Sequence, residues 1–211
     1  MESSDWLAAM TTTFSPRSDK AERTEGLARL EGLKSYPDGW KPSVPYRRQL
    51  VVSMPKFAQV GLDMKDYILA RDLVDKVYDA DGFTLRHARL RECPYSGVEV
   101  EFVQVEDKKD YRVHIDHVVA VADAWNAGGY RWSPKGRNWQ RFCNDPANLL
   151  AVSVSANTSK GDRAADKWLP SNTLHDYRVR FVLLQVGVKA RYRLAVTDSE
   201  RATMRAVLES G

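Results

Sequence analysis

The sequence predicts an α+β fold in which short antiparallel strands in the middle of the chain are flanked by helices at both ends. Apolar residues recur at helical spacing near the N-terminus, and helix signals return toward the C-terminus. From about residue 84 the apolar and polar residues alternate as they do in strands. Residues 111–170 then show the order strand, connection, strand, helix.

The N-terminal part contains two predicted helices. Residues 19–34, DKAERTEGLARLEGLK, form the first, and the Pro- and Gly-rich stretch SYPDGWKPSVPYRR then predicts an extended connection. Residues 62–78 predict the second helix, with Asp63 as its N-cap. Its apolar residues fall near a 3.6-residue period: Met64, Tyr67, Ile68, Val74, Val77 and Tyr78. We expect residues 1–18, which are polar, to be loose.

The central part alternates strands and turns. TLRHARL, VEVEFVQV (98–105) and YRVHIDHVVAV predict three strands, with EDKKD as a polar reversal, and together they indicate an antiparallel meander. ADAWNAGG predicts a short helical turn, and Ser133-Pro134 predicts the start of a helix. NLLAVSV (148–154) is a further strand, and SANTSKGDRAADKWLP is a helix that ends at Pro170.

The C-terminal part predicts a helix over about 173–189, a short strand YRLAV and a final helix that opens with the capping box Thr197-Asp198-Ser199-Glu200. We therefore divide the chain into an N-terminal segment, 1–80, that packs on the core, and a domain, 81–211. Within that domain the central unit is about 111–170 and the C-terminal helices are 171–211.

Composition narrows the class of protein. The net charge of +4 and the pI of about 9.0 permit a polyanionic partner without demonstrating one. Cys93 and Cys143 make no C-x-x-C pair, so we expect two free buried thiols, with one disulfide as the alternative. The N-terminus lacks a secretory signal pattern, and no stretch reaches the ~18 apolar residues of a membrane span. We therefore expect a cytoplasmic protein without a membrane partner.

Two polar residues stand inside an apolar strand. In VHIDHVVAVADAW (113–125), Asp116 and His117 interrupt a run of strand-forming residues, and charged groups in a buried strand need a partner or a ligand. Neighbouring strand residues point to opposite faces, so both can serve one site only where the strand ends or bends. The alternative is a structural Asp-His pair, and His114 is expected to be structural or supporting.

Asn148 opens the following strand, and Asn157 and Lys160 lie in the first part of the next helix. With IDHVVAVADAW and NDPANLLAVSVSANTSKGDRAADKWLP, these positions resemble the HNH, or ββα-metal, nucleases. The likeness is closest to the branch of the GmrSD restriction enzyme C-terminal domain and small bacterial HNH nucleases, and it covers about 84 to the C-terminus. Asn157 lies nine residues after Asn148, as in the HNH domain of RNA-guided CRISPR nucleases, although no histidine fills the third motif position.

The resemblance implies a ββα-metal core and a role for each motif residue. Asp116 and Asn157 are expected to bind a divalent metal, Mg²⁺ before Mn²⁺, because both offer hard oxygen ligands. His117 is the expected general base, a role that supplies about 10²–10⁴-fold of rate. Asn148 could hold the His117 tautomer by a hydrogen bond, and Lys160 could neutralise the phosphate.

The resemblance further implies an endonuclease that hydrolyses phosphodiester bonds in DNA, the metal stabilising the leaving 3′ oxygen. The alternative is a non-catalytic nucleic-acid-binding or accessory protein that keeps the fold. Basic residues that could contact the nucleic acid are Lys135, Arg137, Arg141 and Arg163; their alternative is an ordinary solvated surface. Trp125, Trp132, Trp139 and Trp168 are expected in the core rather than as base-stacking platforms.

Overall fold

The computed structural model describes residues 19–51, 64–82, 84–104, 112–172 and 174–210, without the side chain of residue 175. The helices in this part of the chain are α1 (Lys20–Glu31), α2 (Met64–Asp72), α3 (Val121–Asn126), α4 (Arg137–Cys143), α5 (Val154–Lys160), α6 (Tyr177–Arg191) and α7 (Asp198–Glu209). The strands are β1 (Ser35–Tyr36), β2 (Val74–Tyr78), β3 (Leu85–Leu90), β4 (Val100–Val103), β5 (Val113–His117), β6 (Leu149–Ser153) and β7 (Val196–Thr197). The α+β class is confirmed.

The strands form three small sheets. β2, β3 and β4 make an antiparallel sheet in that order, β5 pairs with β6 antiparallel, and β1 pairs with β7 parallel. The β5–β6 connection carries α3 and α4, and α5 begins directly after β6. The expected order of strand, connection, strand and helix is therefore present, while its identity as a ββα-metal core stays a prediction.

The predicted meander is wrong in one pairing. β4 pairs with β3, but β5 pairs with β6 from the far side of its long connection, so two separate sheets replace one meander within the described residues. Every residue of β6, LLAVS, is buried, so β6 offers β5 a buried and largely apolar partner strand, whereas the residues of β4 are mostly exposed. The predicted EDKKD reversal lies outside the described residues.

The predicted helix 62–78 is half right. α2 ends at Asp72, and residues 74–78 form the edge strand β2 instead, where Val77 and Tyr78 are among the exposed apolar side chains. Valine and tyrosine favour strands, and pairing with β3 overrides the helical spacing of the apolar residues. The expected N-cap Asp63 and residues 1–18 lie outside the described part of the chain.

Two other helix ends differ from their predictions. Ser133 and Pro134 belong to a turn, closed by the hydrogen bond from Gly136 N to Ser133 O, and α4 begins only at Arg137. α5 ends at Lys160 rather than near Pro170, because Gly161 takes a positive φ of 57° that a helix cannot continue. The capping box of α7 is confirmed, with Thr197 and Glu200 bonding to each other's backbone.

The core consists of three hydrophobic clusters, which lie under different elements. One joins α2 and β3 to the β5–β6 pair, a second joins α1 to α6 and α7, and a third is the aromatic cluster of α3 and α4. Trp125 and Trp139 are buried in that third cluster, as expected. The N-terminal segment contacts it through Val44, whose carbonyl oxygen accepts the Trp125 indole hydrogen at 2.8 Å. The division of the chain at residue 80 stays a prediction.

Both cysteines are buried and free, which confirms the expected pair of thiols. Burial raises the pKa of Cys143 to about 12. Across the described ranges, every helix is too short or too polar to cross a bilayer.

Candidate active site

Asn148 shapes the backbone at the end of β5. Its side chain is buried, its Oδ1 accepts the Val119 N–H at 2.8 Å, and its backbone oxygen accepts the Val118 N–H at 2.9 Å. The strand stops at His117, and these two bonds hold the two residues that follow it. Asn148 thus fixes a turn of the backbone and does not bond to the imidazole, which is the contact we expected from it.

His117 is held by a backbone carbonyl instead. Its Nε2 lies 3.0 Å from the carbonyl oxygen of Cys143, the last residue of α4, and its ring stacks parallel to Phe142. Because a carbonyl only accepts, the imidazole carries a proton on Nε2. Its Nδ1 makes no hydrogen bond to any described residue.

The charge state of His117 suits a base. Burial lowers the pKa of His117, the Cys143 hydrogen bond and the Asp116 carboxylate oppose this, and the cations of Lys160 and Arg48 add to it. A His pKa below its ordinary value of about 6.5 leaves the imidazole neutral at pH 7. A neutral imidazole with its proton on Nε2 has its Nδ1 lone pair available.

Asp116 sits in a buried polar cluster on the opposite side of β5. Its Oδ2 accepts the Tyr95 hydroxyl at 2.7 Å and lies 2.8 Å from the Lys160 ammonium. Lys160 also donates to the His117 carbonyl oxygen at 2.8 Å, so one ammonium joins the Asp116 side chain to the His117 backbone. Burial and the Asp116 carboxylate raise the pKa of Tyr95, which keeps its hydroxyl protonated as a donor.

This arrangement changes the role expected for Lys160. Its side chain is fully buried and both oxygen partners are internal, so the ammonium does not reach a phosphate from solvent. A buried charge without a partner destabilises the folded protein, and the Lys160 ammonium has two oxygen partners that offset this cost. Lys160 therefore positions Asp116 and His117.

Asn157 and His114 form a second contact between α5 and β5. Asn157 Nδ2 lies 3.2 Å from His114 Nδ1, and both side chains are partly buried. Lys160 follows Asn157 by one helical turn, and Asp116 follows His114 by two strand residues, so the two pairs lie side by side. The helix begins where Ser153 ends β6, since the Ser153 hydroxyl accepts the Ala156 N–H at 3.2 Å.

The chemistry of these donors fits a hard divalent cation. Within the described ranges, no three His, Cys, Asp and Glu side chains cluster as metal ligands. Asp116 Oδ1 and Asn157 Oδ1 make no hydrogen bonds to described residues. Asp116 already stabilises one cation, the Lys160 ammonium. A carboxylate and an amide oxygen, completed by water, suit Mg²⁺ or Mn²⁺.

The basic residues named from the sequence lie on the surface. Lys135, Arg137 and Arg141 are exposed before and along α4, the helix whose last carbonyl holds His117. Arg163 is exposed after α5, and its guanidinium donates to the Ser159 carbonyl oxygen at 2.7 Å.

The structure thus brings four residues together where α5 packs on one face of β5. His114 and Asp116 belong to the strand, and Asn157 and Lys160 belong to the helix. His117 lies at the strand end toward α4. Sequence reasoning missed Tyr95, since its turn PYSG carries no catalytic pattern, and Cys143, whose contribution is a backbone oxygen that any residue could provide. His114 was noticed, and its alternation with Asp116 was the signal.

Residues 63–207 match the family model described as GmrSD restriction endonucleases, C-terminal domain. The chain belongs to this family. The match contains every residue of the candidate site, so the expected resemblance to this nuclease family is confirmed. Membership of the GmrSD C-terminal family suggests a nuclease.

A relative from the fungus Arthroderma benhamiae, named an uncharacterized secreted protein, is 35% identical over 199 residues, covering 92% of this chain and 88% of its own. The name points to secretion, so the expectation of a cytoplasmic protein is wrong. We drew that expectation from the first residues of the sequence, which show no secretory signal pattern. No solved structure matches the chain.

Proposed function

We propose that the protein is a metal-dependent endonuclease that hydrolyses phosphodiester bonds in DNA, with His117 as the general base. The observation that carries this proposal is the orientation of His117. The Cys143 carbonyl oxygen, 3.0 Å from Nε2, keeps the proton there and leaves the Nδ1 lone pair to take a proton. Membership of the GmrSD C-terminal family supports the choice of reaction.

His117 would take a proton from water at Nδ1. Its lowered pKa keeps it neutral at pH 7, so it is ready to act, and the Cys143 carbonyl steadies the imidazolium that forms. A base of this kind contributes about 10²–10⁴-fold. Lys160 holds the His117 carbonyl oxygen and Asn148 holds the Val119 N–H, so both fix the backbone that carries the imidazole.

Asp116 and Asn157 are the residues that would hold Mg²⁺ or Mn²⁺. Such an ion, when bound, supplies positive charge to the phosphate and to the leaving 3′ oxygen. Tyr95 and Lys160 bond to Oδ2 of Asp116, so its Oδ1 would bind the ion. This arrangement orients the carboxylate before any ligand arrives.

Lys135, Arg137 and Arg141 would contact the phosphate backbone of DNA beside the imidazole. Arg137 and Arg141 are one turn apart on α4, so both can line the same approach to His117. Such contacts position nucleic acid without selecting a sequence. Because the fungal relative carries the name of a secreted protein, we also propose that this protein acts outside the cell.

The test is cleavage of supercoiled plasmid by the full chain with Mg²⁺, with Mn²⁺ and with excess EDTA. We expect cleavage that EDTA abolishes, and a loss of at least ~10²-fold for His117→Ala with DNA binding retained. His87→Ala, which changes a histidine of β3 outside the site, is the matched control and should cut like wild type.

Undiminished cleavage in EDTA would exclude the metal, and wild-type rates for His117→Ala would exclude the base. DNA binding without cleavage in either metal would favour the non-catalytic alternative. The same assay with RNA tests the choice of DNA.

A further inference from the structure

We propose that His114 is a positioning residue: it orients the Asn157 amide so that its oxygen, and not its nitrogen, faces a bound divalent cation. The inference rests on the proposed function, because it assumes that Asn157 is a metal ligand. It assigns a role to a histidine outside the predicted set of site residues.

The contact between the two side chains fixes both partners. Asn157 Nδ2 lies 3.2 Å from His114 Nδ1, and the amide nitrogen only donates. His114 Nδ1 is therefore the acceptor of this hydrogen bond, and the ring hydrogen lies on Nε2. One hydrogen of the Asn157 NH₂ group is used in this bond, while the amide oxygen makes no hydrogen bond to any described residue.

An asparagine ligand needs such a partner. Its oxygen and nitrogen ends have nearly the same shape, so packing alone does not choose between them, but only the oxygen can bind Mg²⁺ or Mn²⁺. An acceptor for the NH₂ group makes the choice. His114 is partly buried and lies on the face of β5 that also carries Asp116. This face contacts α5, so the His114 ring can accept a hydrogen bond from Asn157.

The test is calorimetric titration of the full chain with Mn²⁺ alone, a measurement that does not depend on cleavage. His114→Leu removes the acceptor and should weaken Mn²⁺ binding by about 10- to 100-fold, the usual effect of losing a residue that orients a metal ligand. His114→Gln keeps an acceptor and should recover much of the affinity. His87→Leu, the same change on β3, should bind Mn²⁺ like wild type.

A second background separates orientation from general damage. Asn157→Asp presents an oxygen in either orientation, so adding His114→Leu to it should change Mn²⁺ affinity less than about threefold. An equal loss in both backgrounds would mean that His114 binds the ion itself or merely supports the fold, and would overturn the inference. Unchanged affinity in His114→Leu would overturn it too.

Folding and metal binding can fail separately. Thermal unfolding of each variant is measured alongside, and His114→Val, a strand-favouring residue without an acceptor, repeats the test if the leucine variant folds poorly. If wild type binds no Mn²⁺, the proposed metal site fails and the inference falls with it. If wild type binds Mn²⁺ and both His114→Leu and His114→Val bind it as tightly as wild type, the role of His114 is wrong while the proposed metal site stands.

Discussion

Asn148 and Lys160 both hold the backbone between His117 and Val119. Lys160 donates to the His117 carbonyl oxygen, and Asn148 accepts the N–H of Val119 two residues later. Both side chains are fully buried, so neither contact is exchanged with water. The direction of the His117 ring therefore depends on two residues that do not contact it.

Asn148→Ala should lower the free energy of unfolding by about 1–3 kcal/mol, because the buried Val119 N–H loses its acceptor. Urea denaturation measures the change. Asn138→Ala, at an exposed position of α4, is the matched control and should stay within about 0.5 kcal/mol of wild type. Equal stabilities for the two variants would show that the Asn148 contact contributes nothing.

α5 is a helix of seven residues with a defined start and end. The Ser153 hydroxyl caps its N-terminus, and Gly161 ends it with φ 57° and ψ −131°, a conformation that favours glycine. Such a short helix has little stability of its own. Its ends and its contacts with β5 therefore decide where Asn157 and Lys160 lie.

Gly161→Ala should destabilise the protein by about 1–3 kcal/mol, because a Cβ strains this backbone conformation. Gly187→Ala makes the same change inside α6, where an added Cβ meets no atom within 4 Å apart from its chain neighbours and the helix's own backbone, and should stabilise by up to about 1 kcal/mol. Thermal or urea unfolding of both variants measures the opposite signs. Stabilisation by Gly161→Ala would contradict the assigned backbone strain.

A buried ionic cluster joins three helices that are distant in sequence. The Lys189 ammonium of α6 lies 3.0 Å from Asp123 of α3 and 2.6 Å from Glu200 of α7. One ammonium faces two carboxylates, so burial and the Asp123 charge together raise the pKa of Glu200 to about 7, against the attraction of Lys189. The packing of the C-terminal helices on α3 is thereby linked to pH.

The raised pKa makes stability fall with rising pH. Between the ordinary pKa of 4.5 and about 7, the folded protein binds more protons than the unfolded one, so the contribution of Glu200 is present at low pH and lost as the pH passes about 7. Relative to Glu200→Gln, wild type should lose roughly 1–3 kcal/mol from pH 5 to pH 8. Urea denaturation across this range tests it.

Glu209→Gln, an exposed glutamate of the same helix, is the control, and its stability should change with pH in parallel with wild type. A difference between wild type and Glu200→Gln that stays constant from pH 5 to pH 8 would contradict the raised pKa.

The sequence by itself determined the α+β class, most of the strands and helices, and the nuclease family. Local patterns carry this information: alternation in β3 and β4, the capping box of α7, and the order of Asp116, His117, Asn148 and Asn157 along the chain. The sequence did not predict the secondary structure where a helical pattern of apolar residues competed with strand pairing. Val74, Val77 and Tyr78 fit a helical period as well as a strand, and only β3 decides between them.

Only the tertiary structure decided which strands pair and what each site residue contacts. Cys143 holds His117 with a backbone oxygen, which leaves no trace in residue type, and Tyr95 comes from a turn twenty-one residues before Asp116. Lys160 is a basic residue on a polar helix in the sequence, yet burial makes it an internal partner of Asp116. Such contacts depend on three-dimensional distance, and spacing along the chain does not specify that distance.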